Sequence, residues 1–443
     1  MINKQFRLSL SNPFVRDHKV YGQQLLPGLA YIDLIYQLFR HNDHAYDELE
    51  LCNVSIFNPL SVGPEYDVML NIQCTEVNEK QWHILVEGRE IRNGARAPDT
   101  KRYITAKMHQ KAPVFFDEAL DLKRMKRSAK KNFDLDEIYA RHRRRELIHS
   151  GVMKAAGKIY AADKFVLIDI ALGRPALPGA ADFMFHPALL DGSGIGAGAL
   201  IASRDKEEQL LFLPLHYESF RASALLQRHC FTRITLSSIE RKKELLSFSL
   251  DFFDESGQKV GELKNFSNKL VREVESINPD RKEALVPGRT TPPPEPAAAV
   301  FDTPVDEPGP NDTAAYHEAE AFLRQLMAQR LKRPVDQIQL NAGYYEMGLD
   351  SPGLLELVRS IETKVNSTLQ PTLLFEYTTI FELAAYLSEK YASQFCRSGP
   401  VRRPGRRLNG SPRAKRRPSD QTPLYSMKMR PFCKTIWCSE SRP

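Results

Sequence analysis

The stretch DHKVYGQQLLPGLAY (residues 17–31) sets His18 four residues before Gly22 and Gly22 five before Pro27, at the head of an apolar run. Pro27 suits a first helical turn, where its missing N–H is not needed. A helix is therefore expected over PGLAYIDLIYQLF (27–39), with Asp33 and Gln37 as its main polar positions. A helix that is apolar nearly all round must be buried. A second segment, HPALLDGSGIGAGALIAS (186–203), also opens with a proline and runs through small and apolar residues.

Around these two segments the pattern is that of strands. DVMLNIQCTE, WHILVEGRE and RYITAKMHQ alternate in the first half, and HCFTRITLSSI, ELLSFSLDFFDE and KVGELKNFSNKLVRE in the second. Alternation of this kind marks half-buried strands. Residues 1–275 thus read as one unit used twice, a buried helix with strands wrapped around it. Aligning the two prolines places Asp191 in the first turn of the second helix and His18 just upstream of the first. Both polar groups then sit at the mouths of matching helices. The basic stretch 121–146, with RMKRSAKK and ARHRRRE, reads as exposed and polar.

The composition changes sharply over 276–313, a Pro-rich, semi-rigid linker. Residues 314–394 turn helical, with AAYHEAEAFLRQLMAQRL and TIFELAAYLSEKY as amphipathic segments. From Cys396 onward there are 13 Lys and Arg against Asp420 and Glu440, a balance of +11, so the remainder carries −4 of the formal +7. The segment 395–443 is read as disordered or artefactual, and the body of the chain, mildly acidic, is not expected to bind nucleic acid. No run of about 20 apolar residues is found, so no membrane span is expected. The start lacks the apolar core of a secretory signal, and Cys52, Cys74 and Cys230 lack pair spacing, which together point to the cytoplasm. His41, Asp43 and His44 have no further ligands nearby in sequence, so no metal is expected.

A histidine and a carboxyl group at one apolar mouth can separate base from acid at neutral pH, because burial and neighbouring charge push their ionisations apart. HKVYGQQLLP matches HxxxGxxxxP, and HPALLD matches the second motif, of the dehydratase domains of modular polyketide synthases. The resemblance extends over roughly 1–273 and includes LFLPLHYESFRAS. It is strongest to bacterial synthases of secondary metabolism, such as antibiotic biosynthesis, that use separately encoded acyltransferases. It implies an α+β double hotdog, two antiparallel sheets each wrapping a central helix. It also implies that His18 removes the α-proton of a β-hydroxyacyl thioester and that Asp191 protonates the departing hydroxyl. Gly22, Pro27 and Gly28 would shape the entrance and bind substrate. Two positions depart from the family pattern. Ile195 stands where a Gln or His follows the Asp by four residues, and HSGVM (149–153) stands where Tyr-Gly-Pro-x-Phe is usual. A pyran-forming cyclase and a non-catalytic carrier-docking scaffold therefore remain as alternatives. His149 and His186 are placed as cleft-lining candidates without a catalytic role.

YYEMGLDSPGLLELV resembles the attachment motif of acyl carrier proteins, which implies a small four-helix domain over 314–394 and 4′-phosphopantetheine on Ser351. Without the resemblance, Asp350-Ser351 reads as a helix cap. The implied partners are an acyl chain on a carrier, other synthase modules, a phosphopantetheinyl transferase and a second copy of the chain in a homodimer.

Overall fold

The computed structural model describes residues 2–202, 211–242, 244–271, 274, 277–278 and 314–395. The readings of the Pro-rich stretch and of the basic tail fall almost wholly outside these residues. Two compact units are present. The larger holds 2–278 together with 342–379, and the smaller holds 314–341 together with 380–395.

In the larger unit the alternating segments form strands as their periodicity requires. Asp67–Asn78 buries Val68, Leu70, Ile72 and Cys74 while the residues between them stay partly exposed. Among the described residues fourteen strands join into one antiparallel sheet, twelve in a continuous order and two short ones, Ala95–Arg96 and Glu240–Lys242, paired at the side. Its first half runs Ile2–Leu8, Asp67–Asn78, Gln81–Arg92, Lys101–Gln110 and Leu49–Ile56. Its second half continues through Phe212–Ala222, Lys259–Leu270, Leu245–Phe253, His229–Thr235, Phe165–Ala171, Ala156–Ala161 and Lys131–Asp134. The halves meet at a seam where Leu51, Cys52, Val54 and Ser55 pair with Phe220, Ser219, Tyr217 and His216. A separate four-stranded sheet is made by Leu147–His149, His18–Val20, Gln23–Leu25 and Ser61–Val62. This is the double-hotdog arrangement, with its two large sheets fused edge to edge.

One helix serves each half. The first spans Ala30–Arg40, and every residue from Ala30 to Phe39 is buried. It begins three residues later than the apolar pattern suggests, because Pro27 to Ala30 form a turn closed by Ala30 N–H to Pro27 O. The second spans Pro187–Ala202. Its glycines let it lie directly on the strand Phe165–Ala171. A Cβ at Gly192 would fall 2.7 Å from Ile170 Cδ1, and one at Gly196 2.8 Å from Ile168 Cδ1. Asp191 is the fifth residue of this helix and so lies in its second turn, not its first. The reason is that His186 precedes the helix and accepts at Nδ1 from Ala188 N–H, which starts the helical count at Pro187.

The polar residues of the first helix tie the halves together. The Asp33 carboxylate accepts from Met184 N–H at 2.8 Å and Phe185 N–H at 2.9 Å. Gln37 Nε2 donates to Asp182 O at 2.7 Å. The Tyr36 hydroxyl lies between Leu49 O and Phe220 O, one on each side of the seam. The chain leading into the second helix is thus held by side chains of the first.

The basic stretch 121–146 contains two helices, Leu122–Ser128 and Leu135–Arg144. The second buries Leu135, Ile138, Tyr139 and His142, an i, i+3, i+4, i+7 stripe, and turns its arginines outward. Only part of the stretch is therefore the exposed polar surface expected from its charge.

The C-terminal part is all-α. In the larger unit the helix Ser351–Val365 is capped by Asp350, whose Oδ1 accepts from Gly353 N–H at 2.8 Å, with Pro352 in its first turn. In the smaller unit Ala314–Leu331 packs on Ile380–Lys390; Ala319, Leu323 and Met327 are buried on the first and Leu383, Ala384 and Leu387 on the second. Among the described residues no helix is long and apolar enough to cross a membrane.

If Asp33 joins the halves, Asp33→Ala strips the partner from two buried amides and destabilises the larger unit by about 3 kcal/mol. Denaturant unfolding followed by tryptophan fluorescence measures this, and a loss under about 0.5 kcal/mol contradicts the assigned role.

Candidate active site

The strands His18–Val20 and Gln23–Leu25 are joined by Tyr21 and Gly22, with φ of 49° and 85°. Positive φ at both positions is the two-residue hairpin whose twist matches its strands, and glycine adopts it without strain. A Cβ at Gly22 would meet only Asn278 Nδ2 at 3.7 Å, so backbone conformation and not space demands the glycine. The hairpin folds Leu25 back beside His18. His18 Nδ1–H donates to Leu25 O at 2.8 Å, which leaves Nε2 as the ring's lone-pair nitrogen. Burial, reinforced by the neighbouring His149, pushes the His18 imidazole down to about 4. It is therefore neutral at pH 7.

His149 is directly opposite His18 in the small sheet. The chain around the two is interlocked. Ser150 N–H donates to Asp17 O at 2.9 Å, and Val152 N–H to Asp17 Oδ2 at 3.0 Å. Gly151 has φ of 44°, and a Cβ there would fall 2.0 Å from Asp17 Oδ2. Only glycine lets the two segments approach this closely.

Asp191, His18 and His149 are all buried. His149 Nε2 lies 2.7 Å from Asp191 Oδ2, and one donor atom from each of the three groups lies within 4.8 Å of the others. The contact is short, as a hydrogen bond to an ionised group is. Burial raises the Asp191 carboxyl, but the hydrogen bond from His149 and the fields of His149, His18 and His142 outweigh it and hold the group below the usual carboxylate range. That spacing would also suit a cation, but Asp191 Oδ2 and His149 Nε2 are engaged with each other. His149 is flanked by His18 and Tyr139, with ring centroids at 4.8 and 5.2 Å.

His18, His149 and Asp191 line one cavity with Gly28, His142, Arg145 and Ile195. Its remaining wall is mostly aliphatic and aromatic, including Leu29, Leu147, Leu213, Phe248 and Phe266. Gly28 lets the turn before the first helix abut the other half, since a Cβ there would lie 2.8 Å from Pro214 Cβ and 3.0 Å from Ile56 Cδ1. Pro27 closes the same turn through its carbonyl. Ile195 is one helical turn beyond Asp191 and contributes only an apolar surface.

Of the histidines placed at the cleft by sequence, His149 lines it, whereas His186 caps the second helix and packs between Phe14 and Phe183. His142 and Arg145 reach the cavity from the basic segment, where the stripe through Leu135, Ile138 and Tyr139 was the available signal. Ser351 is the first residue of its helix, directly after the capping Asp350.

Comparison with known proteins bears on this site. Residues 4–89 match a model described as polyketide synthase dehydratase domain, and residues 117–278 one described as polyketide synthase dehydratase N-terminal domain. Residues 321–387 match the phosphopantetheine attachment site. The chain is 49% identical over 403 residues to polyketide synthase PksL of Bacillus subtilis (strain 168), a match covering 90% of this chain and 9% of that protein. It is 46% identical over 392 residues to PksM of the same organism, covering 88% of this chain and again 9% of the relative. The chain thus spans about a tenth of the length of these relatives. A crystal structure of a monomeric dehydratase domain from a trans-acyltransferase polyketide synthase split module is 52% identical, with a TM-score of 0.60, over 61% of this chain and 99% of that one. The N-terminal dehydratase of the difficidin assembly line, 22% identical with a TM-score of 0.56, covers 62% of this chain and 96% of that one and shares the fold. With the double hotdog, the paired histidine and carboxyl group and these matches together, the chain belongs to the polyketide synthase dehydratase family, its dehydratase domain followed by a phosphopantetheine-attachment domain as in trans-acyltransferase modules.

Proposed function

We propose that this chain dehydrates a carrier-bound β-hydroxyacyl thioester to the α,β-unsaturated thioester. The observation that carries this reading is that His18 and Asp191, from opposite halves of the fold, face one buried, largely apolar cavity with a free imidazole Nε2 on one side and a carboxyl group on the other. His18 Nε2 takes the α-proton. The electrons of that C–H bond form the double bond as the β C–O bond breaks, and Asp191 delivers a proton to the departing oxygen, which leaves as water. Positioned proton transfers of this kind contribute about 10²–10⁴-fold. Gly22 fixes the hairpin that aims His18. Pro27 sets the turn and the Gly28 N–H within it polarises the thioester oxygen as negative charge develops there. The cavity wall excludes bulk water and takes the acyl chain. The convergence of both polar groups on one cavity argues against a silent scaffold.

In this reading residues 1–275 are the dehydratase, 276–313 the linker, 314–394 the carrier and 395–443 a tail with no part in the chemistry. Ser351 carries 4′-phosphopantetheine, added by a phosphopantetheinyl transferase. A phosphodiester there sits at a helix N-terminus, where negative charge is favoured. The linker holds the carrier at roughly millimolar effective concentration if the span fits. Acyl chains arrive from other synthase modules. The likeness to a domain described as monomeric favours one dehydratase copy over the homodimer. Cys52, Cys74 and Cys230 are free and buried, in keeping with a reducing cytoplasm.

The test is turnover of a β-hydroxyacyl-pantetheine thioester by the full chain, followed by mass spectrometry. His18→Ala and Asp191→Asn each lower kcat by about 10²-fold or more, while Ser351→Ala leaves this free thioester turning over but abolishes covalent loading. Unchanged water loss by His18→Ala contradicts the reading, and a ring product from a substrate with a distant hydroxyl replaces it with cyclisation. Because the base is neutral until about pH 4, kcat/KM stays flat as pH falls from about 7 to about 5 and drops only below that. A fall centred near the ordinary imidazole value, about 6.5, contradicts the assigned state of His18.

A further inference from the structure

A group that protonates a leaving hydroxyl must hold a proton when the substrate arrives. Asp191 alone is poorly placed to do so, because it accepts a 2.7 Å hydrogen bond from an imidazole in a buried site. Ile195, one turn further along the helix, offers neither donor nor acceptor. We propose that His149 is the positioning residue of the acid: it fixes the orientation of the Asp191 carboxyl group and shares with it the single proton that Asp191 hands to the leaving oxygen. This rests on the reading of His18 and Asp191 given above.

Three features of the geometry point to it. First, strand pairing places His149 directly opposite His18, and the Asp17–Gly151 interlock fixes that register. The two imidazoles therefore reach the cavity side by side. Second, their tautomers are set from different directions. His18 is tied through Nδ1 to a backbone carbonyl, so its Nε2 is the base. His149 Nδ1, buried and without a hydrogen-bond partner among the described residues, keeps the ring's other N–H, so the proton held between Nε2 and Asp191 can leave without producing an imidazolate. Third, among the described residues the titratable and charged groups facing the pair are few. They are His18 from the paired strand, Tyr139 and His142 from the helix Leu135–Arg144, and Arg145 just after it. The Tyr139 hydroxyl accepts from Ala155 N–H, and His142 Nδ1 is bonded to Ile138 O. His142 therefore does not compete for the shared proton through Nδ1.

The proton balance closes over one turnover. The α-proton moves to His18 Nε2 and the pair's proton leaves with the hydroxyl as water. The water just released then relays the proton on His18 back to Asp191, one donor atom of each lying within 4.8 Å of the other, restoring both groups.

The experiment compares His149→Phe, His149→Gln and His149→Phe with Ile195→Gln, in the full chain, with the same β-hydroxyacyl-pantetheine thioester and with His18→Ala alongside. His149→Phe lowers kcat by about 10²-fold with KM nearly unchanged. His149→Gln, which keeps a donor to the carboxyl group, stays within about tenfold of the parent, and Ile195→Gln restores at least about tenfold to His149→Phe. The alkaline limb of kcat, which belongs to the pair, is displaced in both His149 variants because neither Phe nor Gln shares a proton. Equal losses in Phe and Gln without rescue, or an unmoved alkaline limb, overturn the proposal. If His149→Phe does not fold by circular dichroism, the limb of His149→Gln alone decides. Activity surviving in His18→Ala refutes the underlying assignment of His18 as the base instead, whereas an inactive His18→Ala beside an unaffected His149→Phe refutes only the role of His149.

Discussion

The buried carboxylate of Asp33 holds this molecule together where it matters for chemistry. It accepts two backbone N–H groups from Met184 and Phe185, the residues that lead the chain into the second helix. A charged acceptor with two donors in a dry environment is among the stronger single tethers a fold can use. Through it the first helix sets the starting point of the second, and Asp191, five residues beyond Phe185's neighbour His186, inherits its place. The Tyr36 hydroxyl between Leu49 and Phe220 carbonyls, and Gln37 on Asp182, repeat the arrangement at the seam. Each half brings one of the two groups proposed to react, so the arrangement exists only while the halves keep their relation.

The second constraint is backbone conformation at two glycines. Gly22 lets a two-residue turn bring Leu25 O onto His18, and Gly151 lets the chain after His149 press against Asp17. Together they deliver two imidazoles in different protonation arrangements to one carboxyl group. The first ring is held neutral by burial with its lone pair outward. The second ring is bonded to the acid. A family position that usually supplies an amide or imidazole from the helix is apolar here, and the partner comes from the strand instead.

Much of this was legible in the sequence. The apolar run after Pro27 and the Gly-rich run after Pro187 both gave buried helices, and the alternation in DVMLNIQCTE and its companions gave strands. The shifts are local. Pro27-Gly28-Leu29 forms a turn ahead of the first helix, and the His186 cap delays Asp191 to the second turn. The helix Leu135–Arg144 was obscured because RHRRRE dominates the composition, although Leu135, Ile138, Tyr139 and His142 carry the helical period. His149 was less accessible still. Its role depends on a strand register with His18, some 130 residues away, and single-sequence patterns encode the face of a strand but not its distant partner.

The central claim is that a neutral imidazole with its lone pair on Nε2 faces Asp191 and its partner His149 across one largely apolar cavity. ¹⁵N NMR of the histidine-labelled full chain, with His18 assigned by its loss in His18→Gln, reads this state directly. The account predicts that His18 is protonated at Nδ1 and bare at Nε2 at pH 7, and stays so as the pH is lowered to about 5. A His18 found as imidazolium at pH 7, or carrying its proton on Nε2, contradicts it.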